Sequence, residues 1–208
     1  MDGTLLDSIP IWSRVGEKFL ISQDIVPPSD LREILKEKTL VEAVDYFIER
    51  FGLTLSQEEI LLKINDIVGY HYRNTITLKP FVKEFLDYFK NKGIKMCIAT
   101  LSNKSIVEDG LKRHGILSFF DFILTSGEVG IGKDQPDIYI QACHGLGLDI
   151  DDVIVFEDSP YCIKTAQSAG FKVVGVYDER NKDRIEEMKS YCDYFIHTFK
   201  DIEALNLF

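Results

Sequence analysis

The feature that most constrains the fold is a change of hydrophobic pattern at Lys79-Pro80. After it, short continuous apolar runs alternate with helical patterns, whereas before it only helical spacing occurs. Strands that are apolar along their whole length are buried on both faces, which is typical of a parallel sheet covered by helices. The later part is therefore predicted to be an α/β core. The runs lie at 94–99, 122–124, 153–156, 173–176 and 194–196, and the helices at 81–91, 104–114, 136–146, 160–168 and 182–190.

The stretch before Lys79 is predicted to be an all-helical insertion. Ser56 with Glu59 three residues later forms a capping box, and Gly52 stands where a helix usually ends. The predicted organisation is an α/β core made of residues 1–8 and 79–208, interrupted by a helical segment at 9–78.

Composition limits the class of protein. The chain has 208 residues, with 24 Lys and Arg against 34 Asp and Glu and a net charge of −10, and 45% of it is hydrophobic. Such a chain can bury a core, but it lacks the basic balance of a nucleic-acid binder. No apolar run approaches the ~20 residues of a membrane span. We expect a cytoplasmic monomer or weak dimer with no nucleic-acid or membrane partner.

Two further features of the sequence agree with a cytoplasmic location. The N-terminus carries Asp2 and Asp7 rather than a basic start and an apolar stretch, so no signal peptide is expected. The cysteines are widely spaced without a CxxC pair, which favours reduced thiols. They are Cys97, Cys143, Cys162 and Cys192.

Ligands of parallel α/β sheets bind beyond the carboxyl ends of the strands. The predicted strand ends are followed by Thr100-Leu101-Ser102-Asn103, Thr125-Ser126-Gly127 and Glu157-Asp158-Ser159. All three segments are mostly small, polar or acidic, although the preceding runs are apolar. The sequence therefore predicts that the functional residues lie in these three segments.

Several of these residues allow both a functional and an ordinary interpretation. Adjacent carboxylates at Glu157 and Asp158 fit Mg²⁺, or else form an acidic loop that caps the next helix. Lys133 can offer a point charge to a phosphate, or can be a solvated surface lysine. The Thr100 hydroxyl and the amides beside it, at Leu101, can hold phosphate, or Thr100 can cap a helix.

The string Asp2-Gly3-Thr4-Leu5-Leu6-Asp7-Ser8 is the most specific in the chain. Gly3 permits a turn that brings backbone amides close to an anion, with the Asp2 carboxylate beside it. The alternative is an N-terminal turn without a ligand.

Taken together, four motifs resemble those of the haloacid dehalogenase (HAD) superfamily, in its branch of small phosphatases and β-phosphoglucomutase-like proteins with a helical cap. The resemblance covers essentially the whole chain and implies a Rossmann-like HAD core with the cap at 9–78. The motifs are the string at 2–8, Thr100, Gly132-Lys133 with Pro136-Asp137-Ile138-Tyr139, and Phe156-Glu157-Asp158-Ser159.

The resemblance also implies roles. Asp2 corresponds to the family's general acid/base, and its backbone carbonyl, with Asp158 and the neighbouring Glu157, to the ligands of Mg²⁺. Thr100 corresponds to the phosphate-binding hydroxyl. Lys133 corresponds to the lysine that stabilises the nucleophile and the phosphoryl group, and the reaction passes through an aspartyl-phosphate.

The first motif departs from the family pattern Asp-x-Asp-Gly-Thr. Met1 occupies the x position, so the nucleophilic aspartate and the central strand that carries it would precede Met1. We expect those residues to be encoded upstream, and we expect the 208-residue chain without them to lack phosphatase activity. The alternative is a catalytically inactive HAD-like binding protein.

The predicted function is a Mg²⁺-dependent phosphohydrolase of a small phosphorylated metabolite such as a sugar phosphate. The rival enzyme is a sugar-phosphate mutase, but mutases generally carry histidine where this chain has Trp12. Trp12 and Asn103 are candidates for substrate contact, and packing is the alternative for Trp12.

Overall fold

The computed structural model describes residues 1–35 and 38–205. The chain forms two compact units. Residues 1–8 and those from Ile76 onward make up the core unit, and Ile9–Thr75 makes up the helical unit. The predicted boundary at Lys79 lies slightly later, because Ile76–Leu78 belongs with the core unit. There the Asp7 amide donates to the Thr77 carbonyl at 2.9 Å, and Leu6 forms an antiparallel bridge with Leu78.

The helical unit is built from amphipathic helices with well-formed ends. The Ser56–Glu59 capping box is confirmed, and a second one joins Thr39 to Glu42. Gly52 ends its helix in the left-handed conformation at φ 63°, again as predicted. The helices are α1 Ile9–Trp12, α2 Val15–Ser22, α3 Leu31–Leu35, α4 Leu40–Phe51 and α5 Gln57–Asn74.

The core of the helical unit is formed where α2 and α4 pack against α5. Phe19 and Phe47 stack with ring centroids 5.5 Å apart, and Ile64 and Val68 of α5 are fully buried. Apolar positions recurring at helical spacing supply this buried face.

The core unit alternates helices with short parallel strands, as the apolar runs predict. The strands are β1 Cys97–Thr100, β2 Phe122–Thr125, β3 Ile154–Glu157, β4 Lys172–Val176 and β5 Tyr194–Ile196. The α-helices are α6 Val82–Asn91, α7 Lys104–Arg113, α8 Ser126–Val129, α9 Asp137–Leu146, α10 Pro160–Ser168 and α11 Ile185–Tyr191. Ile138, Ile163 and Val173 are buried in one cluster that joins α9, α10 and β4.

The strands pair in two groups within the described residues. β1 pairs with β2, and β3 pairs with β4, which in turn pairs with β5, all in parallel. Ala99 of β1 and Val155 of β3 pack against the same apolar cluster, so both groups belong to one core.

The apolar residues of β3 are only half-buried, whereas Val173 and Val174 of β4 are fully buried. β4 has a hydrogen-bonded neighbour on each side, and β3 has one.

The first apolar run is longer than its strand. Residues 94–99 were predicted as extended, but β1 begins at Cys97. The amide of Ile94 donates to the Phe89 carbonyl at 3.1 Å, closing the end of α6. The Met96 amide then binds the Asp121 carboxylate at 3.0 Å. Ile94 and Met96 therefore make hydrogen bonds to the end of α6 and to Asp121 instead of pairing in the sheet.

Across the residues placed by the structure, no helix is both long and apolar enough to cross a membrane.

Candidate active site

The first loop of the core unit is a tight turn around Gly3. Gly3 has φ 67°, and its amide donates to the Leu6 carbonyl at 3.0 Å. A Cβ at this position would lie 2.2 Å from Oδ2 of Asp158. The turn therefore needs glycine for two reasons, its left-handed conformation and its contact with Asp158.

The Asp2 carboxylate is held by two hydroxyl groups. Ser8 Oγ donates to Oδ1 at 2.6 Å, and Ser102 Oγ donates to Oδ2 at 2.7 Å. Ser8 belongs to the first loop, whereas Ser102 follows β1. The carboxylate thus joins the first loop to the end of β1.

Asp158 is held by the first loop and by Asn181. Thr4 Oγ1 donates to Oδ1 at 2.8 Å, and Asn181 Nδ2 donates to the Asp158 carbonyl at 3.0 Å. Burial and the neighbouring Glu157 charge raise the pKa of Asp158 to about 6. A buried carboxylate of this kind ionises readily only beside a positive charge.

Lys133 and Glu157 form a buried ion pair. Lys133 Nζ donates to Glu157 Oε1, which also accepts from the Tyr139 hydroxyl at 3.0 Å. The ammonium lies 5.4 Å from the centroid of the Tyr139 ring. Burial opposes both charges, but their attraction outweighs it, so the pKa of Glu157 is lowered and that of Lys133 is raised. Lys133 is a fixed positive charge rather than a solvated side chain.

The remaining predicted residues lie in different settings. Thr100 is buried at the end of β1, and its hydroxyl accepts from the Ser102 amide at 3.1 Å. Leu101 is 51% exposed. Asn103 caps α7, accepting from the Ser105 amide at 3.1 Å. Trp12 lies in the helical unit, where its Nε1 donates to the Tyr72 hydroxyl at 3.1 Å.

These contacts bring together part of the predicted set. Gly3 touches Asp158, and Lys133 touches Glu157, while Asp2 is linked to Thr100 through Ser102. Glu157 and Asp158 are adjacent in sequence but bind different partners. The predicted set omits Thr4, Ser8, Ser102, Tyr139, Lys79 and Asn181, which support it.

The sequence offers a signal for some of these supporting residues. Thr4, Ser8 and Tyr139 lie inside the quoted motifs, and Ser102 lies in the polar segment after β1. Asn181 stands in a charged stretch that carries no motif.

The oxygen donors of the site suit Mg²⁺ better than a metal held only by protein side chains. Among the residues that the structure describes, no group of three or more His, Cys, Asp and Glu side chains could hold a metal ion. A closed protein cage of the kind that holds structural zinc is therefore not built from such side chains there. Mg²⁺ instead uses one or two carboxylates and completes its shell with water and phosphate oxygens. The buried Asp158 carboxylate, beside the bare Cα of Gly3, fits that mode.

Fold and site together define an α/β protein with carboxylates and a buried lysine at the ends of its parallel strands. The family model for haloacid dehalogenase-like hydrolases matches residues 1–176, so the chain belongs to that family. The resemblance found in the motifs and the predicted α/β fold class are thereby confirmed.

Individual proteins that resemble this chain also belong to the family or are named as phosphatases. The chain is 26% identical over 182 residues to the phosphorylated carbohydrates phosphatase of Thermotoga maritima, covering 87% of this chain and 84% of that protein. It is 29% identical over 201 residues to mitochondrial (DL)-glycerol-3-phosphatase 1 of Arabidopsis thaliana, covering 93% and 65%. Among solved structures, a HAD hydrolase of family IA from Entamoeba histolytica matches with a TM-score of 0.81 at 23% identity, covering 97% and 92%. The sequence matches place the chain among the family's phosphatases. The structural match shows that the chain has the same fold.

Proposed function

We propose that this protein is a Mg²⁺-dependent phosphohydrolase of a small phosphorylated metabolite, and specifically of a sugar phosphate. The observation that carries the proposal is the first loop, which contacts the ends of both β1 and β3 through Asp2 and Thr4. The similarity to a phosphorylated carbohydrates phosphatase supports the substrate class.

Asp2 is proposed as the general acid and base. Its carboxylate oxygens already accept hydrogen bonds from Ser8 and Ser102, which fixes the orientation that proton transfer requires. Asp2 would protonate the leaving oxygen of the sugar and then take a proton from the attacking water.

Thr100 and Leu101 are proposed to bind the phosphate, through the Thr100 hydroxyl and the Leu101 amide. Gly3, whose own amide donates to Leu6, would allow the phosphate to approach the backbone closely. Lys133 would stabilise the negative charge that develops on the phosphoryl oxygens. Because its ammonium is buried and held by Glu157 and Tyr139, it is oriented before substrate arrives.

The Asp158 carboxylate and the backbone carbonyl of Asp2 would hold the Mg²⁺, with the Glu157 carboxylate close beside them. When bound, Mg²⁺ supplies positive charge to the phosphoryl group and to the carboxylates around it. A cation beside Asp158 would favour the ionised form of this carboxyl, whose pKa is raised by burial.

The nucleophile is proposed to be an aspartate two residues before Asp2, on a strand encoded upstream of Met1. A strand between β1 and β3 would satisfy their unpaired edges and cover the half-buried face of β3. The phosphoryl group would pass to this aspartate and then to water.

The test is a hydrolysis assay on a panel of phosphorylated sugars, glycerol phosphates and nucleotides, with product identification. We expect inorganic phosphate and free sugar from a chain extended by about ten upstream codons, in the presence of Mg²⁺ only. Equal turnover by the 208-residue chain would contradict the placement of the nucleophile. An isomerised sugar phosphate would show a mutase instead.

A matched variant tests the metal assignment. Asp158→Asn keeps the shape of the side chain but removes the charge, so Mg²⁺-dependent turnover should fall by at least about a hundredfold. Unchanged Mg²⁺-dependent turnover in the folded variant would remove Asp158 from the metal site. Panel-wide inactivity of the extended chain would leave the inactive binding protein as the explanation.

A further inference from the structure

Lys79 is a largely buried lysine that the proposed chemistry does not use. Its Nζ donates to the Gly3 carbonyl, to the Tyr177 carbonyl at 2.6 Å and to Asp178 Oδ2 at 3.0 Å. Its side chain is 15% exposed and that of Asp178 only 6%. An ammonium has three protons, and here each has an oxygen acceptor.

The three oxygens come from two separate loops. Gly3 lies in the first loop, while Tyr177 and Asp178 follow β4. The Lys79 backbone also holds the first loop, because its amide donates to the Leu5 carbonyl at 2.9 Å. Lys79 is therefore attached to the first loop at two points and to the loop after β4 at two more.

The loop after β4 continues this connection to Asp158. Asp178 Oδ1 accepts from the Arg180 amide at 3.0 Å, which shapes the turn. Asn181, three residues after Asp178, donates its side-chain amide to the Asp158 carbonyl at 3.0 Å. One run of contacts thus joins the Gly3 carbonyl, Lys79, Asp178, Asn181 and the Asp158 backbone.

A buried ion pair is weak evidence of stability, because desolvation of both charges cancels much of their attraction. Its clearer effect is to specify geometry. Donation to the Gly3 carbonyl fixes the Gly3–Thr4 peptide, the next one along the chain from the peptide that joins Asp2 to Gly3. Hydrogen bonds from a charged donor are among the stronger ones in proteins.

We propose that Lys79 is a positioning residue, whose ammonium acts as a built-in cation that locks the Asp2-Gly3 turn against the loop after β4. The effect of Lys79 on catalysis rests on the proposed function. The effect of Lys79 on the order of the turn does not depend on that function, and separate measurements test the two effects.

The first measurement is amide hydrogen exchange in metal-free protein without substrate. Lys79→Met keeps the apolar stem and removes the donors. We expect exchange of the amides at residues 3–6, and of those at 177–181, to accelerate by at least about tenfold. Amides of β2 and α7 should be unchanged. Lys95→Met is the matched control, because Lys95 Nζ also donates to a backbone carbonyl, that of Leu146 at 2.7 Å.

Two results of this measurement would overturn the proposal. One is unchanged exchange of the turn in folded Lys79→Met. The other is equal acceleration throughout the core unit, which would mean that Lys79 contributes only to global stability. Asp178→Asn should reproduce part of the local effect, because it weakens one of the three contacts.

The second measurement is chemical rescue. Lys79→Ala leaves space beside the three oxygens, and ammonium or methylammonium should slow the accelerated exchange of the turn. The larger tetramethylammonium, which has no N–H donor, should not. Where Lys79→Ala does not fold, the exchange result of Lys79→Met decides the proposal alone. If tetramethylammonium slows the exchange as much as ammonium or methylammonium does, the proposal is overturned. The rescue would then be a general effect of salt and not the filling of a hydrogen-bonded site.

The kinetic measurement uses the active, extended chain. If Asp2 is misplaced, kcat of Lys79→Met should fall by about tenfold or more while KM changes by less than about threefold. A rise in KM with unchanged kcat would overturn the link to Asp2. An inactive parent would refute the proposed function, and the exchange result would still decide the role of Lys79.

Discussion

Gly3 shows how a single missing side chain shapes the site. Its φ of 67° and its contact with Asp158 both exclude a Cβ, whereas Gly147 has φ 68° with no atom within 4 Å of the Cβ position. Substitution of Gly147 therefore introduces backbone strain alone, whereas substitution of Gly3 introduces the same strain and a steric conflict with Asp158.

We expect Gly147→Ala to cost about 1–2 kcal/mol of unfolding free energy, from backbone strain alone. Gly3→Ala should cost at least about 1 kcal/mol more, because Asp158 must move. It should also abolish Mg²⁺-dependent turnover in the extended chain. Urea unfolding and the phosphatase assay measure the two effects. Equal stability and retained turnover in both variants would contradict the described contact.

Cys97 allows a prediction about alkaline pH. Burial, helped by the nearby Asp121 charge, raises the pKa of its thiol from 9.0 to about 12. Since the unfolded thiol ionises first, its contribution to stability is complete below pH 9.0 and is lost as the pH rises toward 12.

Between pH 8 and pH 10, the wild-type chain should therefore lose about 1 kcal/mol more stability than Cys97→Ala, after allowance for partial exposure. Urea unfolding of both proteins at the two pH values gives the comparison. An identical pH dependence of the two unfolding curves would show that the thiol is not protected.

The sequence could nominate those candidate site residues that lie in contiguous motifs. Asp2, Lys133 and Asp158 each stand in a string whose chemistry is readable. Lys79 could not be found in this way, because its acceptors at Gly3 and Tyr177 are 76 and 98 residues away. Only the fold brings such partners together.

At the scale of elements, the apolar runs predict where strands occur but not where they begin. A run of hydrophobic residues fits a buried strand or a buried turn equally well. Ile94 is such a case, since its amide closes α6 instead of pairing in β1. The capping box of α5 was predictable, because both of its partners lie within three residues.

β4 contains a glycine at a position where the packing, and not the backbone, requires it. Gly175 pairs with Glu157 on one side and Phe195 on the other. A Cβ there would lie 2.9 Å from the Phe195 ring and 3.1 Å from Cys192 Sγ. Strand glycine normally weakens a sheet, so alanine would help if space allowed.

We expect the steric term to win, so that Gly175→Ala costs about 1–3 kcal/mol of unfolding free energy. In a Phe195→Leu background the same substitution should cost less, because the smaller side chain yields space. A double-mutant cycle by urea unfolding measures this coupling. Additive effects of the two substitutions would mean that Phe195 does not limit the space at Gly175.

At the scale of the molecule, the chain is a helical unit inserted into an α/β core unit. The change of pattern at Lys79 gave no indication that Ile76–Leu78 would pair with the first loop. That pairing depends on hydrogen bonds between residues about 70 positions apart, such as Asp7 and Thr77. Periodicity within a short window carries no information about such contacts.

Mg²⁺ and phosphate are proposed to bind residues of the core unit, which leads to a prediction about the stability of the whole protein. Mg²⁺ with inorganic phosphate should raise the unfolding free energy, since a ligand that binds only the folded state stabilises it by mass action. At a ligand concentration of about one hundred times the dissociation constant, the gain is about 2.7 kcal/mol. Thermal unfolding with and without the two ligands measures it.

Three variants locate the origin of this gain. Asp158→Asn should remove the Mg²⁺-dependent part, and Lys133→Met should remove the phosphate-dependent part. Lys95→Met should keep both, because its ammonium binds the Leu146 carbonyl and none of the proposed ligand groups. A gain that persists in Asp158→Asn, or one that Ca²⁺ with sulfate reproduces in full, would show nonspecific salt stabilisation. A gain that depends on both residues would mean that these side chains recognise the metal and the phosphate even before any turnover is measured.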